Sequence, residues 1–210
     1  SGEGRYTEMK GLLLKDILTL YKQTKIILLL MVVFACIPGL PTSAFAVFYG
    51  AMMPITALAY DERSKWDELA AMMPYTAKAI VGSKYALGLL LIGSISLLSA
   101  ASQVVVSVVQ HVPLNTETLI SIPLVACGAL LMMLIDLPLM FRLGVEKGRI
   151  IYILLTCGCV TYFAMNTDDV IASLDTVSVY SALLMVLAIT IVAFVISYTI
   201  SIQVYRVRRG

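Results

Sequence analysis

The chain has 210 residues, of which 60% are hydrophobic and only 13% charged, and its mean hydropathy is +0.94. Soluble domains are near half apolar and about a quarter charged, so a soluble globular protein is excluded. The net charge of +2 is too small for a nucleic-acid-binding surface.

Residues 1–8 are polar and read as a tag remnant ahead of a native start at Met9, leaving 9–210 as one transmembrane domain. From Met9 to Lys25, Leu13, Ile17, Leu20 and Tyr21 fall at helical spacing with Lys10, Asp16, Lys22 and Lys25 elsewhere. This pattern predicts an amphipathic helix lying in the membrane interface. A spanning helix needs about 20 mostly apolar residues, and six stretches are candidates: about 26–41, 42–60, 84–109, 118–140, 150–165 and 177–204. The expected fold is therefore all-α, a polytopic bundle of six transmembrane helices. The first two stretches are short, and Pro38, Gly39 and Pro41 between them form a tight turn. Pro54 predicts a kink in the second.

The charges fix a topology. All fifteen Lys and Arg residues lie before the first stretch, between the second and third, between the fourth and fifth, or after the sixth. The alternate loops carry none, and two of them hold Glu117, Asp168, Asp169 and Asp175. Basic loops mark the cytoplasmic side, so both termini are expected there.

The segment 61–83 is more than a loop. It opens on Asp61, Glu62, Arg63, Ser64, Lys65, Trp66, Asp67 and Glu68, in which Ser64 and Asp67 have capping-box spacing. A short helix through Leu69–Met73 should stop at Pro74, with Thr76 capping the next helix.

Chemistry-bearing motifs are sparse. There is no phosphate-binding Gly-rich loop ending in Lys-Ser/Thr, no Gly-x-Ser-x-Gly elbow and no His-Glu-x-x-His. Hence no catalytic residues, bound cofactor or metal are expected. His111 reads as a solvated loop residue, and Cys36, Cys127, Cys157 and Cys159 as small apolar side chains without disulfides. Asp136 lies within the fourth stretch, where an acid is either functional or paired near the boundary with a group such as Arg142. Ser96, Ala100, Gln103 and Ser107 share one face of the third stretch, suited to close helix packing or to lining a translocation path.

Three stretches carry a family likeness. Met9–Asp16, the run Tyr60–Ala70 continuing to Met73-Pro-Tyr and Val81-Gly-Ser-Lys-Tyr, and Pro138–Arg149 resemble, in order and spacing, the short permease subunits of ABC transporters of the type-2 exporter class. The resemblance covers nearly the whole chain from Met9. It implies a six-span permease working as a homodimer or with a related chain. A separate ATPase subunit holding ATP and Mg would power it. It also implies that Asp61, Glu62, Arg63, Lys65, Trp66, Asp67 and Glu68 contact that ATPase, although Trp66 also suits a plain interfacial anchor. With no large extracellular domain, the chain looks most similar to small exporters of amphipathic or antimicrobial peptides, including phenol-soluble modulin exporters and bacteriocin self-immunity systems. It would be a multi-pass protein of the bacterial plasma membrane. The competing readings are a secondary transporter or channel, which needs charges or broken helices at the midplane, and a non-transporting immunity or scaffold protein.

Overall fold

The computed structural model describes residues 2–37, 40–73, 75–111, 116–148 and 179–209, with isolated positions at 150, 153, 154, 158 and 161. Every element among them is a helix: α1 (Gly2–Gln23), α2 (Lys25–Cys36), α3 (Leu40–Arg63), α4 (Trp66–Met72), α5 (Ala77–Gln110), α6 (Thr116–Leu143) and α7 (Val179–Arg209). Residues 145–148 form one further helical turn. The expected fifth span, 150–165, lies almost wholly outside the described residues, as do Cys157 and Cys159. Cys36 and Cys127 are free thiols.

Among the described residues, four helices are long and apolar enough to cross a membrane: Ser43–Arg63, Ala77–Gln110, Ser121–Leu143 and Leu183–Val207. The expected first span, 26–41, is shorter than the sequence suggested. Ile37 precedes Pro38, which disfavours helical backbone, and it adopts extended angles (φ −78°, ψ 121°), so α2 stops at Cys36. Its 12 residues reach about 18 Å, against a hydrocarbon core of about 30 Å. It counts toward a crossing only together with α1, from which it is bent by 90°.

The corner between them is Thr24. Its amide and hydroxyl both donate to the Leu20 carbonyl, at 2.7 Å each, and its own carbonyl accepts from Leu28. Backbone groups freed by the bend thus stay satisfied although Thr24 is buried. Helix α1 extends to Gly2, so residues set aside in the sequence join it. Its apolar residues divide between two faces: Leu12 and Leu20 are buried, whereas Leu14, Ile17, Leu18 and Tyr21 are exposed. One face packs on the bundle, and the other is free for the interface.

In the core, α3 packs on α5 and α6, and α6 on α7. Helix α3 runs unbroken through Pro54. At the α3–α5–α6 crossing, Gly88 lets Met133 close against the Pro54 ring; a Cβ on Gly88 would lie 3.0 Å from the Pro54 Cγ. Small residues permit this approach where lipid offers no hydrophobic drive for helix association. At the far end of α2, Ser102 of α5 donates to the Ala35 carbonyl at 2.9 Å, serving a helix-end acceptor.

Helix α6 contains Pro138, which has no N–H to offer the Leu134 carbonyl one turn earlier. The hydroxyl of Ser197, on α7, donates to that carbonyl instead. With its proton committed, Ser197 accepts from Tyr85 Oη at 2.6 Å, and Tyr85 in turn accepts from Ser201 at 2.8 Å. The relay Ser201–Tyr85–Ser197–Leu134 joins α5, α6 and α7 in a buried polar chain. Tyr85 also meets Phe194 and Tyr198 edge-to-face.

Candidate functional site

The segment expected to form a surface element divides into three parts. Asp61, Glu62 and Arg63 are the last turn of α3, Ser64 and Lys65 make a turn, and Trp66 begins α4. The capping box expected of Ser64 and Asp67 is not formed. Lys65 is the N-cap in left-handed conformation (φ 54°), with no side-chain cap, and the Ser64 hydroxyl donates to the Asp61 carbonyl at 3.2 Å. Residue 65 turns left-handed between α3 and α4, so the N-cap position falls on Lys65 and not on Ser64. The expected stop is present: Met73, preceding Pro74, is extended. Thr76 caps α5, accepting from the Ala79 amide at 3.2 Å.

Successive residues of an α-helix point about 100° apart, and the last turn of α3 sends its three charges in different directions. Asp61 is buried. Its Oδ2 accepts from Lys84 Nζ at 2.5 Å and its Oδ1 from Lys15 Nζ at 2.6 Å. Lys84, only 1% exposed, also donates to Asp16 Oδ1 at 2.8 Å, and Lys15 Nζ lies 3.1 Å from the same oxygen. The four charges balance. Lys15 further stands 4.1 Å from the centre of the Trp66 ring, a cation–π contact. One compact cluster therefore binds α1, α3, α4 and α5.

Glu62 reaches across to α6. Its Oε2 accepts from the Val145 amide at 2.9 Å, the first N–H of the helical residues 145–148. Gly144, which links α6 to that turn, has φ +82°, a conformation that disfavours any side chain, and a Cβ there would stand 3.1 Å from Glu62 Oε1. Replacing Glu62 with alanine should remove about 0.5–1 kcal/mol of capping. The readout is hydrogen–deuterium exchange, with amides 145–148 exchanging severalfold faster; unchanged exchange would show the cap to be idle.

Arg63 points outward. The outer surface of α4 carries Lys65 and Glu68, paired at 3.7 Å and well exposed, so contributing little to stability. Beside them Leu69 and Met72 are 49% and 83% exposed. The Asp67 side chain lies outside the described positions.

The stripe on α5 is half-buried. Ser96 is spent on its own helix, donating to the Ile92 carbonyl at 2.7 Å. Gln103 Nε2 and the Ser99 hydroxyl, one turn apart, are buried without a partner among the described residues. Ser107 lies one turn further on the same face. Asp136 is 4% exposed, and no described residue gives it a hydrogen bond or ion pair. The boundary pairing with Arg142 is not formed: six residues round an α-helix is about 240°, and Arg142 is exposed on another side. His111 is exposed and closes α5 in left-handed conformation, its amide donating to the Ser107 carbonyl.

Sequence reasoning missed the role of Lys84, Tyr85, Ser197 and Ser201. One signal was present: Asp16 interrupts the stripe Leu12–Asp16–Leu20, and a charge amid a buried apolar face demands a partner.

Long apolar helices packed into a bundle, four of those among the described residues able to cross a bilayer, define a multi-pass membrane protein. The family model described as ABC-2 family transporter protein matches residues 11–206, and the chain belongs to that family of membrane transport proteins. Comparison with curated proteins and with solved structures gave no match.

Proposed function

We propose that the chain is the permease subunit of an ATP-driven ABC exporter that moves amphipathic or antimicrobial, toxin-like peptides out of a bacterial cell. It works as a dimer, of itself or with a related chain, in the plasma membrane with both termini cytoplasmic. ATP and Mg are held by a separate ATPase subunit. The observation that carries this reading is α4, a short helix at the basic end of the bundle. It presents Lys65, Glu68, Leu69 and Met72 outward while Trp66 rests on Lys15 of the buried ion cluster. A push on such a helix passes directly into α1, α3 and α5. Among the residues the family likeness assigns to ATPase contact, this arrangement favours Lys65, Trp66 and Glu68 over the inward-facing Asp61.

The test is co-purification in detergent with the candidate ATPase, reading ATP turnover with and without amphipathic peptides. Trp66→Ala and Glu68→Ala are each expected to reduce peptide-stimulated turnover severalfold. Failure of any ATPase to bind, or turnover indifferent to the permease, would overturn the reading.

A further inference from the structure

Helix α1 gives one face to the bundle and turns the other outward. Leu14, Ile17, Leu18 and Tyr21, at successive turns, make the outer face and are 58%, 37%, 50% and 65% exposed. Exposed with them are Lys10, one turn before Leu14, and Lys22 and Lys25 at the far end. Asp16 does not share that surface. It is 1% exposed and held inside by Lys84 and Lys15. Along the chain Asp16 and these lysines are interspersed; the fold sorts them, acid inward and three lysines outward.

Position identifies what covers the outer face. Helix α2 packs on the spanning helices α3 and α5, and α1 leaves it at 90°, so α1 runs across the ends of the spans. Its depth is set by Lys15, which donates to Asp61 in the last turn of α3, where a membrane-crossing helix ends. Beyond the corner at Thr24 the apolar surface continues, with Ile26 and Leu29 of α2 72% and 68% exposed. One bilayer surface covers both stretches without a break.

Charge narrows the lipid. Neighbouring acids do not cancel the three lysines. Glu68 of α4 is paired with Lys65, and Glu62 is committed to the Val145 amide. By sequence, Glu3, Arg5 and Glu8 in the first turns of α1 and Asp67 after Trp66 add three acids and one base. Lys78 adds another base. It is exposed on α5, one turn from Gly82, where a Cβ would stand 3.5 Å from the Met9 Sδ of α1. Cations remain in excess by two. A zwitterionic headgroup brings no net charge to meet that excess, and an anionic one does.

We propose that the outer face of α1 is a binding surface for anionic phospholipid, with the stripe from Leu14 to Tyr21 at acyl-chain level and Lys10, Lys22 and Lys25 among the headgroups. The inner face of the same helix carries Asp16, so lipid that seats α1 also seats the ion cluster. The surface is independent of the transport reading, and its test reads lipid contact, not ATP.

The purified protein would be placed in nanodiscs of equal parts phosphatidylglycerol and phosphatidylcholine. In two parallel samples one lipid or the other carries the same photoreactive acyl chain, and labelled peptides are mapped by mass spectrometry. Labelling of residues 10–25 by phosphatidylglycerol is expected to exceed that by phosphatidylcholine about fivefold, the effect of one lysine near an anionic surface. The triple variant Lys10→Gln, Lys22→Gln, Lys25→Gln should bring the ratio down to that around Gln110 and His111, at the opposite end of α5. Its melting temperature should be unchanged, because all three side chains are exposed. Arginine at the same three positions should keep the ratio. Salt at about 1 M, which shortens the screening length to about 3 Å, should lower it. The assignment is overturned if both lipids label α1 equally, which would make the face a plain apolar anchor. It is equally overturned if neither lipid labels it, as for a face covered by protein, or if the triple variant keeps the wild-type ratio.

Discussion

Replacing Lys84 with methionine is expected to destabilise the protein by about 3–5 kcal/mol, the range for breaking a buried ion pair from one side. The substitution keeps the volume of the side chain and removes its charge. Asp61 would retain only Lys15, and Asp16, 1% exposed, would be left with Lys15 at 3.1 Å as its remaining counter-charge. The cluster would then carry an uncompensated negative charge away from water, and that penalty, more than the lost attraction, sets the magnitude. The same argument predicts a rescue. Lys84→Met combined with Asp16→Asn restores neutrality and should recover most of the loss. The measurement is unfolding in detergent for both single variants and the double. A single-variant cost below about 1 kcal/mol would show that water screens the cluster as it screens surface pairs.

The second large effect concerns the α6–α7 seam. Ser197→Ala should cost about 1–2 kcal/mol, the upper range for hydrogen bonds between membrane helices. It strands the Leu134 carbonyl and removes the acceptor for Tyr85 Oη. The cause can be isolated with Pro138→Ala, which gives residue 138 an N–H to donate to Leu134 in the ordinary helical manner. In that background Ser197→Ala should cost about half as much, because only the Tyr85 contact is then lost. Equal costs in both backgrounds would mean that the seryl group does not serve the proline-freed carbonyl.

Together the two sites show how the bundle is fastened. Near the basic end an ion cluster joins four helices, and deeper in, a hydroxyl relay joins three. Trp66 links the first of these to α4, so damage at Lys84 should also blunt any response transmitted from that surface helix.

The helices themselves were legible in the sequence. Runs such as 84–109 and 118–140 are apolar over most of their length, long enough to cross a bilayer; α5 and α6 occupy them, extended to Ala77–Gln110 and Thr116–Leu143. Local rules set Thr76 as a cap and Pro74 as a stop. The end of α2 followed from local rules too: the Pro38–Pro41 stop ends the helix, and Ile37, preceding Pro38, leaves it. The candidate site was legible only as a stretch. Composition located 61–68 but could not tell which of its charges faced inward.

What the sequence by itself determined is the all-helical membrane class and the gathering of every basic segment at alternate turns of the chain, because burial of apolar runs and placement of charge are local demands. What only the tertiary structure decided is partnership. Asp16, Asp61 and Lys84 are separated by 45 and 23 residues, and each alone reads as an ordinary boundary charge. Their neutralisation depends on α1 folding back through 90° at Thr24 onto α3 and α5. The same holds for Pro138 and Ser197, whose pairing exists only because α6 and α7 lie side by side. A buried polar group has to be satisfied by whatever the fold brings near it, and pattern along the chain carries no record of that proximity.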